Sequence, residues 1–409
     1  MRRRRYYTGR DFHRAINIEE LRGVARRCLP RFSLEYLEGG AEDEVTLRRN
    51  RSVFEEIAFL PRTLVGVGQR DLSTELFGTR IALPFVIAPT GLNGMLRHRA
   101  DFSLARAAKT AGIPFTLGTL GTAKIEDLVA EVGPVWFQVY NMRAREFWER
   151  LVQRADQAGC PALLVTSDAP VFGNREWDVR NYAAPAKLTF RNKLEVLLHP
   201  RWLLDVMIRQ GGPRFENLTE ILPKGDTRAV KGAKYVTAQL DPTLNWDDVR
   251  ALRKLWPRAL VVKGIMTVED ARTALDLGAD GIVLTNHGGR QLDGAVSPME
   301  ILPEVADAVG NRLTILIDSG FRRGADIAKA LALGARAVLL GRATLYGVAV
   351  GGEAGAAHAL KILRSEFDRV MALLGCTSVR DLGPHLVRWP THTDRPSSLR
   401  HMQGTAGMR

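Results

Sequence analysis

Eight apolar runs of strand length, separated by helix-like amphipathic stretches, limit what this chain of 409 residues can fold into more than any other feature. They are IALPFVIA (81–88), IPFTLG (113–118), VWFQVY (135–140), ALLVTS (162–167), ALVVKG (259–264), GIVLTN (281–286), LTILIDS (313–319) and AVLLGR (337–342). None alternates strictly between apolar and polar residues. Continuous apolar runs of this length suit strands covered on both faces, as in a parallel sheet. ARTALDLGADGIVLTN (271–286) resembles IAKALALGARAVLLGR (327–342): an Ala/Leu helix, a glycine that ends it, then the next strand. Eight strands alternating with helices predict an α/β fold, a (β/α)8 TIM barrel, with a doubly wound open sheet as the alternative. Residues 1–60 read as a helical lead-in of the same domain, 61–385 as the barrel, and 386–409 as a flexible polar tail. Between the fourth and fifth runs the chain is far longer than one helix needs, which puts an insertion at about 187–240.

Composition narrows the function. The net charge of +13 would suit nucleic acid, yet the arginines are spread along the chain without zinc-finger spacing or RNA-binding aromatics. Nucleic acid is therefore not an expected partner, and the charge points to anionic substrates or phospholipid. Three separated cysteines suggest neither a disulfide framework nor a metal cluster, so a reducing, cytosol-facing compartment is expected. The basic start, MRRRRYYTGRDFHRAI, has no apolar stretch behind it and does not read as a secretory signal. No apolar run reaches the roughly 18 residues that a membrane span requires.

In such a barrel the chemistry sits where the strands end. Six runs deliver polar groups there: Gln138 and Tyr140, Thr166 and Asp168, Lys263, Thr285 and His287, Asp318, and Gly341 with Arg342. In IDSGFRRG and LLGRA, glycines such as Gly320 and Gly341 let backbone N–H groups approach a phosphate. Helix starts and Arg322 and Arg342 add positive charge. The sixth run leads into TNHGGRQLDG, with His287 and Arg290 on either side of two glycines.

These segments, with VKG, TSD followed by GNRE, IAPTGLNG and YLEGGAEDE, resemble the FMN-dependent (S)-2-hydroxy-acid oxidase and dehydrogenase family over about 17–380. PTGLNG, LHPRW and SPMEIL resemble its membrane-associated bacterial branch. The resemblance implies one bound FMN, no metal, and oxidation of a mandelate- or lactate-like (S)-2-hydroxy acid to the 2-oxo acid. His287 matches the catalytic base and Asp168 the carboxylate paired with it. Arg175 and Arg290 match the guanidinium groups that hold the substrate carboxylate, and Tyr36 and Tyr140 the hydroxyls beside the substrate. Lys263 matches the cation beside the flavin. Pro89, Thr90, Gly91, Gln138, Thr166 and Thr285 match its lining. Asp318, Gly320, Arg322, Gly341 and Arg342 match the ribityl and phosphate contacts.

Two positions depart from many relatives: Gly118 stands where a serine is common, and Leu120 where tryptophan or a small residue is. With Phe172, Leu120 is expected to shape the substrate pocket. Gly91 resembles the dehydrogenase branch, which implies a quinone or other respiratory acceptor; the alternative is an oxygen-using oxidase that makes hydrogen peroxide. LEVLLHPRWLLDVMIRQ (194–210) is apolar with interspersed basic residues, and 187–215 is expected to dock on an anionic membrane surface, peripherally on the cytoplasmic side of the inner membrane. The alternative is that this segment packs on the barrel or a neighbouring subunit. The resemblance also implies a homo-oligomer, a tetramer. A non-redox FMN barrel of the type 2 isopentenyl-diphosphate isomerase kind is the rival, and the His287, Arg290 and Arg175 set argues against it.

Overall fold

The computed structural model describes residues 5–184, 187–209, 211–222 and 238–389. Eight parallel strands form one sheet: β1 (Phe85–Ile87), β2 (Thr116–Gly118), β3 (Trp136–Tyr140), β4 (Ala162–Thr166), β5 (Ala259–Ile265), β6 (Gly281–Leu284), β7 (Thr314–Ile317) and β8 (Ala337–Leu340). Neighbours in sequence pair side by side from β2 through to β8, and β8 pairs with β1. A single bridge between Ile87 and Phe115 joins β1 to the segment entering β2 and closes the ring. The open sheet is thereby set aside in favour of the barrel.

Strand parity explains both the core and the site. Alternate residues point to opposite faces of a strand. Val86, Trp136, Leu164, Val261, Val283, Leu316 and Leu339 form one cluster, the barrel interior, and their chain neighbours join the larger cluster under the helices. Two residues beyond each interior position, on the same parity, come Ala88, Gln138, Thr166, Lys263, Thr285, Asp318 and Gly341. The alternation that fills the barrel with apolar groups therefore delivers polar ones to its carboxyl-terminal mouth. The other end is plugged by a hairpin, Thr74–Leu76 with Thr79–Ile81, whose Leu76 and Ile81 join the interior cluster.

The lead-in supplies helices α1 (Ile18–Cys28), α2 (Arg31–Glu38) and α3 (Val45–Glu56). Asn17 caps α1 by accepting from Glu20 N–H at 2.9 Å, and α1 packs on the long last helix, Arg342–Leu373. Within the insertion, helix Phe190–Leu197 is followed by Pro200–Trp202, which runs on as a π-helical turn over Leu203–Arg209. Trp202 anchors it, donating from Nε1 to Met95 O at 2.9 Å. Residues 223–237 of the expected insertion and 390–409 of the expected tail lie outside the described residues. Ordered structure continues beyond 386, because Val387–Arg388 pairs antiparallel with Ala58–Phe59.

Candidate active site

At the carboxyl-terminal mouth lies a cavity of about 700 Å³. His287 stands in its wall with a left-handed backbone (φ 59°), its N–H donating to Thr285 Oγ1 at 2.9 Å. That conformation is uncommon for a residue with a Cβ and turns the ring back over the strand ends. Nδ1 lies 3.1 Å from both carboxylate oxygens of Asp168. A proton on Nδ1 donates to that carboxylate and leaves Nε2 as an acceptor, 3.4 Å from Tyr140 Oη. Burial pushes the imidazole below its ordinary range, Lys263 and Arg175 add to this, and Asp168 opposes it. Burial raises the Asp168 carboxyl, but His287 and Lys263 outweigh it and hold the group below the usual carboxylate range. The result is a neutral ring beside an ionised carboxylate: a base ready to accept a proton. Burial, with Asp168, raises the Tyr140 phenol and keeps it protonated.

Lys263 is buried 3.5 Å from Asp318; burial lowers its ammonium, yet Asp318 and Asp168 raise it above the ordinary lysine range and keep it charged. Arg175 donates from Nε to Arg290 O at 3.3 Å, and Arg290 donates to the carbonyls of Tyr36 and Gly39, each at 2.8 Å. Arg322 lies over the Tyr346 ring, 5.4 Å from its centroid. The Arg342 guanidinium donates to three protein carbonyls, Leu37 O at 2.9 Å, Gly288 O at 2.8 Å and Gly39 O at 2.9 Å. Burial and the neighbouring Arg290 push it below the ordinary arginine range. Its side chain thus pins α2 to the histidine loop, and its place in the cavity wall is at the start of a helix.

These residues fit an FMN together with a carboxylate substrate. Five cations (Arg175, Lys263, Arg290, Arg322 and Arg342) converge here against Asp168 and Asp318. The surplus matches a phosphate dianion and one carboxylate. Thr90 Oγ1 is buried in the wall with no protein partner among the described residues. At Gly341 a Cβ would meet nothing nearer than 4.0 Å, so its bareness leaves room that the protein itself does not use.

Most residues assigned by resemblance meet at this wall. Tyr36, Pro89, Thr90, Gly91, Gln138 and Tyr140 line it, as do Lys263, Asp318, Gly320 and Gly341. Thr166 and Thr285 stand one layer behind: Thr166 Oγ1 accepts from Gln138 Nε2 at 2.8 Å, and Thr285 Oγ1 donates to Asp318. They hold the lining instead of forming it. Asp168 stands behind His287 in the same way. Leu120 and Phe172 both line the cavity without filling it, and Phe215 brings the insertion into its wall. A side chain at Gly118 would come within 3.2 Å of Gln138 Oε1.

Sequence reading missed a buried carboxylate, Asp101, which accepts from Asn93 Nδ2 at 2.7 Å and from Thr122 N at 2.8 Å and Oγ1 at 2.7 Å. It ties the loop after β1 to the loop after β2. Its only sequence signal is an acid amid the alanines of ADFSLARAAKT.

The FMN-dependent dehydrogenase family matches residues 25–389. The chain is 45% identical to the (S)-mandelate dehydrogenase of Pseudomonas putida, over 90% of this chain and 93% of that one. It is 40% identical to the L-lactate dehydrogenase of Azorhizobium caulinodans, over 89% and 96%. A crystal structure of (S)-mandelate dehydrogenase, described as a monotopic membrane protein, superimposes with a TM-score of 0.88 at 44% identity, covering 92% of this chain and all of that one (100%).

Proposed function

We propose, from the premise that this chain belongs to the FMN-dependent dehydrogenase family, that it oxidises an (S)-2-hydroxy acid of the mandelate or lactate kind to the 2-oxo acid. The observation that carries this reading is the His287 ring, fixed by Asp168 at 3.1 Å and standing with Arg175 and Arg290 in the wall of one cavity. The two guanidinium groups take the substrate carboxylate; a planar fork suits that task. Tyr36 and Tyr140 flank the alcohol carbon. Nε2 accepts a proton from the substrate, and Asp168 stabilises the imidazolium that forms. When bound, FMN supplies the acceptor for the two electrons leaving the alcohol carbon. Lys263 offsets the negative charge gained on reduction, while Arg322 and the backbone at Gly320, Gly341 and Arg342 hold the phosphate.

The electrons then pass to a quinone or another respiratory acceptor. Gly91 supports this over the oxidase reading through its resemblance to the dehydrogenase branch; a Cβ there would also come within 3.0 Å of Leu120 Cβ. An oxidase-like alanine would require Leu120 to give by a few tenths of an ångström. The insertion supports attachment to an anionic membrane surface, and the free cysteines Cys28, Cys160 and Cys376 suit its cytoplasmic face. Phe190, Leu194, Leu197, Leu198, Leu204 and Ile208 are exposed beside Arg191, Lys193, Arg201 and Arg209. No described helix is long and apolar enough to cross a membrane. The protein works as a homo-oligomer, a tetramer by family likeness.

The direct test is anaerobic mixing of the FMN-loaded protein with (S)-mandelate or (S)-lactate. Bleaching of the oxidised flavin band is expected; an unbleached flavin with every 2-hydroxy acid tried contradicts the assignment.

A further inference from the structure

Gln291 follows the histidine and arginine of NHGGRQ, and the catalytic assignment gives it nothing to do. Yet every hydrogen-bonding position of its amide is used. Oε1 accepts from Gly173 N at 3.0 Å and from Arg175 Nη2 at 3.3 Å. Nε2 donates to Asp168 O and to Val171 O, both at 2.9 Å. A primary amide offers two acceptor sites and two donor hydrogens, so this one is saturated. All four partners belong to one segment, 168–175, which leaves β4 and carries Asp168 at one end and Arg175 at the other. Gln291 itself belongs to the loop after β6, with His287 and Arg290.

The two segments lie in backbone contact: a Cβ on Gly173 would fall within 2.4 Å of Arg290 O and 2.5 Å of Gln291 O. Arg175 Nε adds a bond to Arg290 O at 3.3 Å. No strand ladder joins β4 to β6, since β5 stands between them. The register between the base and its carboxylate, and between the two carboxylate-binding arginines, therefore depends on this loop contact.

We propose that Gln291 is a positioning residue that locks the 168–175 segment onto the histidine loop, so that Asp168, His287, Arg175 and Arg290 are held as one unit. The proposal rests on the functional reading above. Its effect falls on substrate anchoring and on the proton balance of His287 more than on flavin retention. None of its four bonds reaches a group assigned to FMN.

The test uses the FMN-loaded full-length chain with Gln291→Met, which keeps the length and removes all four bonds, and Gln291→Glu, which keeps the shape. Loss of these bonds lets Arg175 wander, and misplacement on the order of 1 Å costs up to about a hundredfold. For Gln291→Met we expect an unchanged FMN content, a KM for (S)-mandelate raised by about tenfold or more, and a smaller change in kcat. The acid limb of kcat/KM should move to lower pH, because Asp168 supports the protonated ring less well when its register slips. Gln291→Glu turns a carboxylate toward the Asp168 and Val171 carbonyls and competes with substrate for Arg175, so its KM should rise at least as much.

Titration with oxalate, followed by perturbation of the flavin spectrum, reads anion anchoring without turnover, and its Kd should rise in parallel. A wild-type KM, pH limb and oxalate Kd in either folded variant overturns the proposal. So does activity lost only in proportion to lost FMN. Failure of the wild-type protein to be reduced by any 2-hydroxy acid would sink the functional reading instead, and the oxalate arm would still judge the clamp.

Discussion

On the proposed reading a single imidazole carries the chemistry, and its surroundings set the pH at which it works. His287 is half-buried, feels the charges of Lys263 and Arg175, and has Asp168 behind it. The base must be unprotonated to act, so kcat/KM rises with pH as the free enzyme loses that proton. Burial and the neighbouring cations depress the pKa of the ring, so the acid limb should lie below the ordinary histidine value of about 6.5. A pH profile of kcat/KM measures this directly, and a limb well above that value would mean that Asp168 dominates the ring. His287 and Asp168 were legible as residues because they stand just past strand ends, and Arg290 because it stands in a glycine-bared loop; Arg175 was assigned by resemblance alone. Gln291 and Asp101 were not. Their partners are backbone groups and side chains in other segments, and an amide or acid in a loop or helix looks the same in sequence whether it faces water or a carbonyl. Arg342 was legible as a cation near the phosphate loops, but the three carbonyls that take its guanidinium lie far away in sequence.

Among the elements, the continuous apolar runs are covered on both faces, by the barrel interior and by the helices, which is why all eight runs contain barrel strands. All but β5, which runs on to Ile265, are shorter than their runs: IALPFVIA splits at Pro84, leaving Ile81 in the plugging hairpin and Phe85–Ile87 in the barrel. The insertion has an inward and an outward apolar face, where the sequence offered membrane docking and packing on the barrel as alternatives. Val196, Trp202 and Val206 pack inward, while Phe190, Leu197 and Leu198 face out at 75%, 62% and 77% exposure. Sequence periodicity alone could not divide these apolar residues between two faces, because the helix ends at Leu197, a new one starts at Pro200, and that one changes from α to π at Leu203 and shifts the phase. Replacing Phe190, Leu197 and Leu198 together with serine should reduce co-sedimentation with phosphatidylglycerol vesicles by about tenfold or more, since burial of such side chains is worth roughly 1.5–3 kcal/mol each. Substrate reduction of FMN should be unchanged. Equal pelleting of variant and parent would show that this face serves another purpose.

For the whole molecule, the barrel converts one rule of strand parity into a site. Closure brings the ends of β3 to β8 around one cavity, so residues as distant in sequence as Tyr36, Lys263 and Arg342 share a wall. The fold class followed from the repeated runs, and the site followed from the ends of those runs. The loop-to-loop contacts that fix their angles could not be read, since they form only after the ring closes. The convergence of five cations on one mouth is costly unless anions answer it, and a phosphate with a substrate carboxylate answers it in full. The central claim is that this convergence places a substrate against a single base, His287. Single-turnover reduction by (S)-mandelate or (S)-lactate, in anaerobic wild-type and His287→Gln proteins matched for bound FMN, tests it most directly. The account predicts normal flavin retention and a rate lower by about a thousandfold in the variant; a variant reduced at the wild-type rate would contradict it.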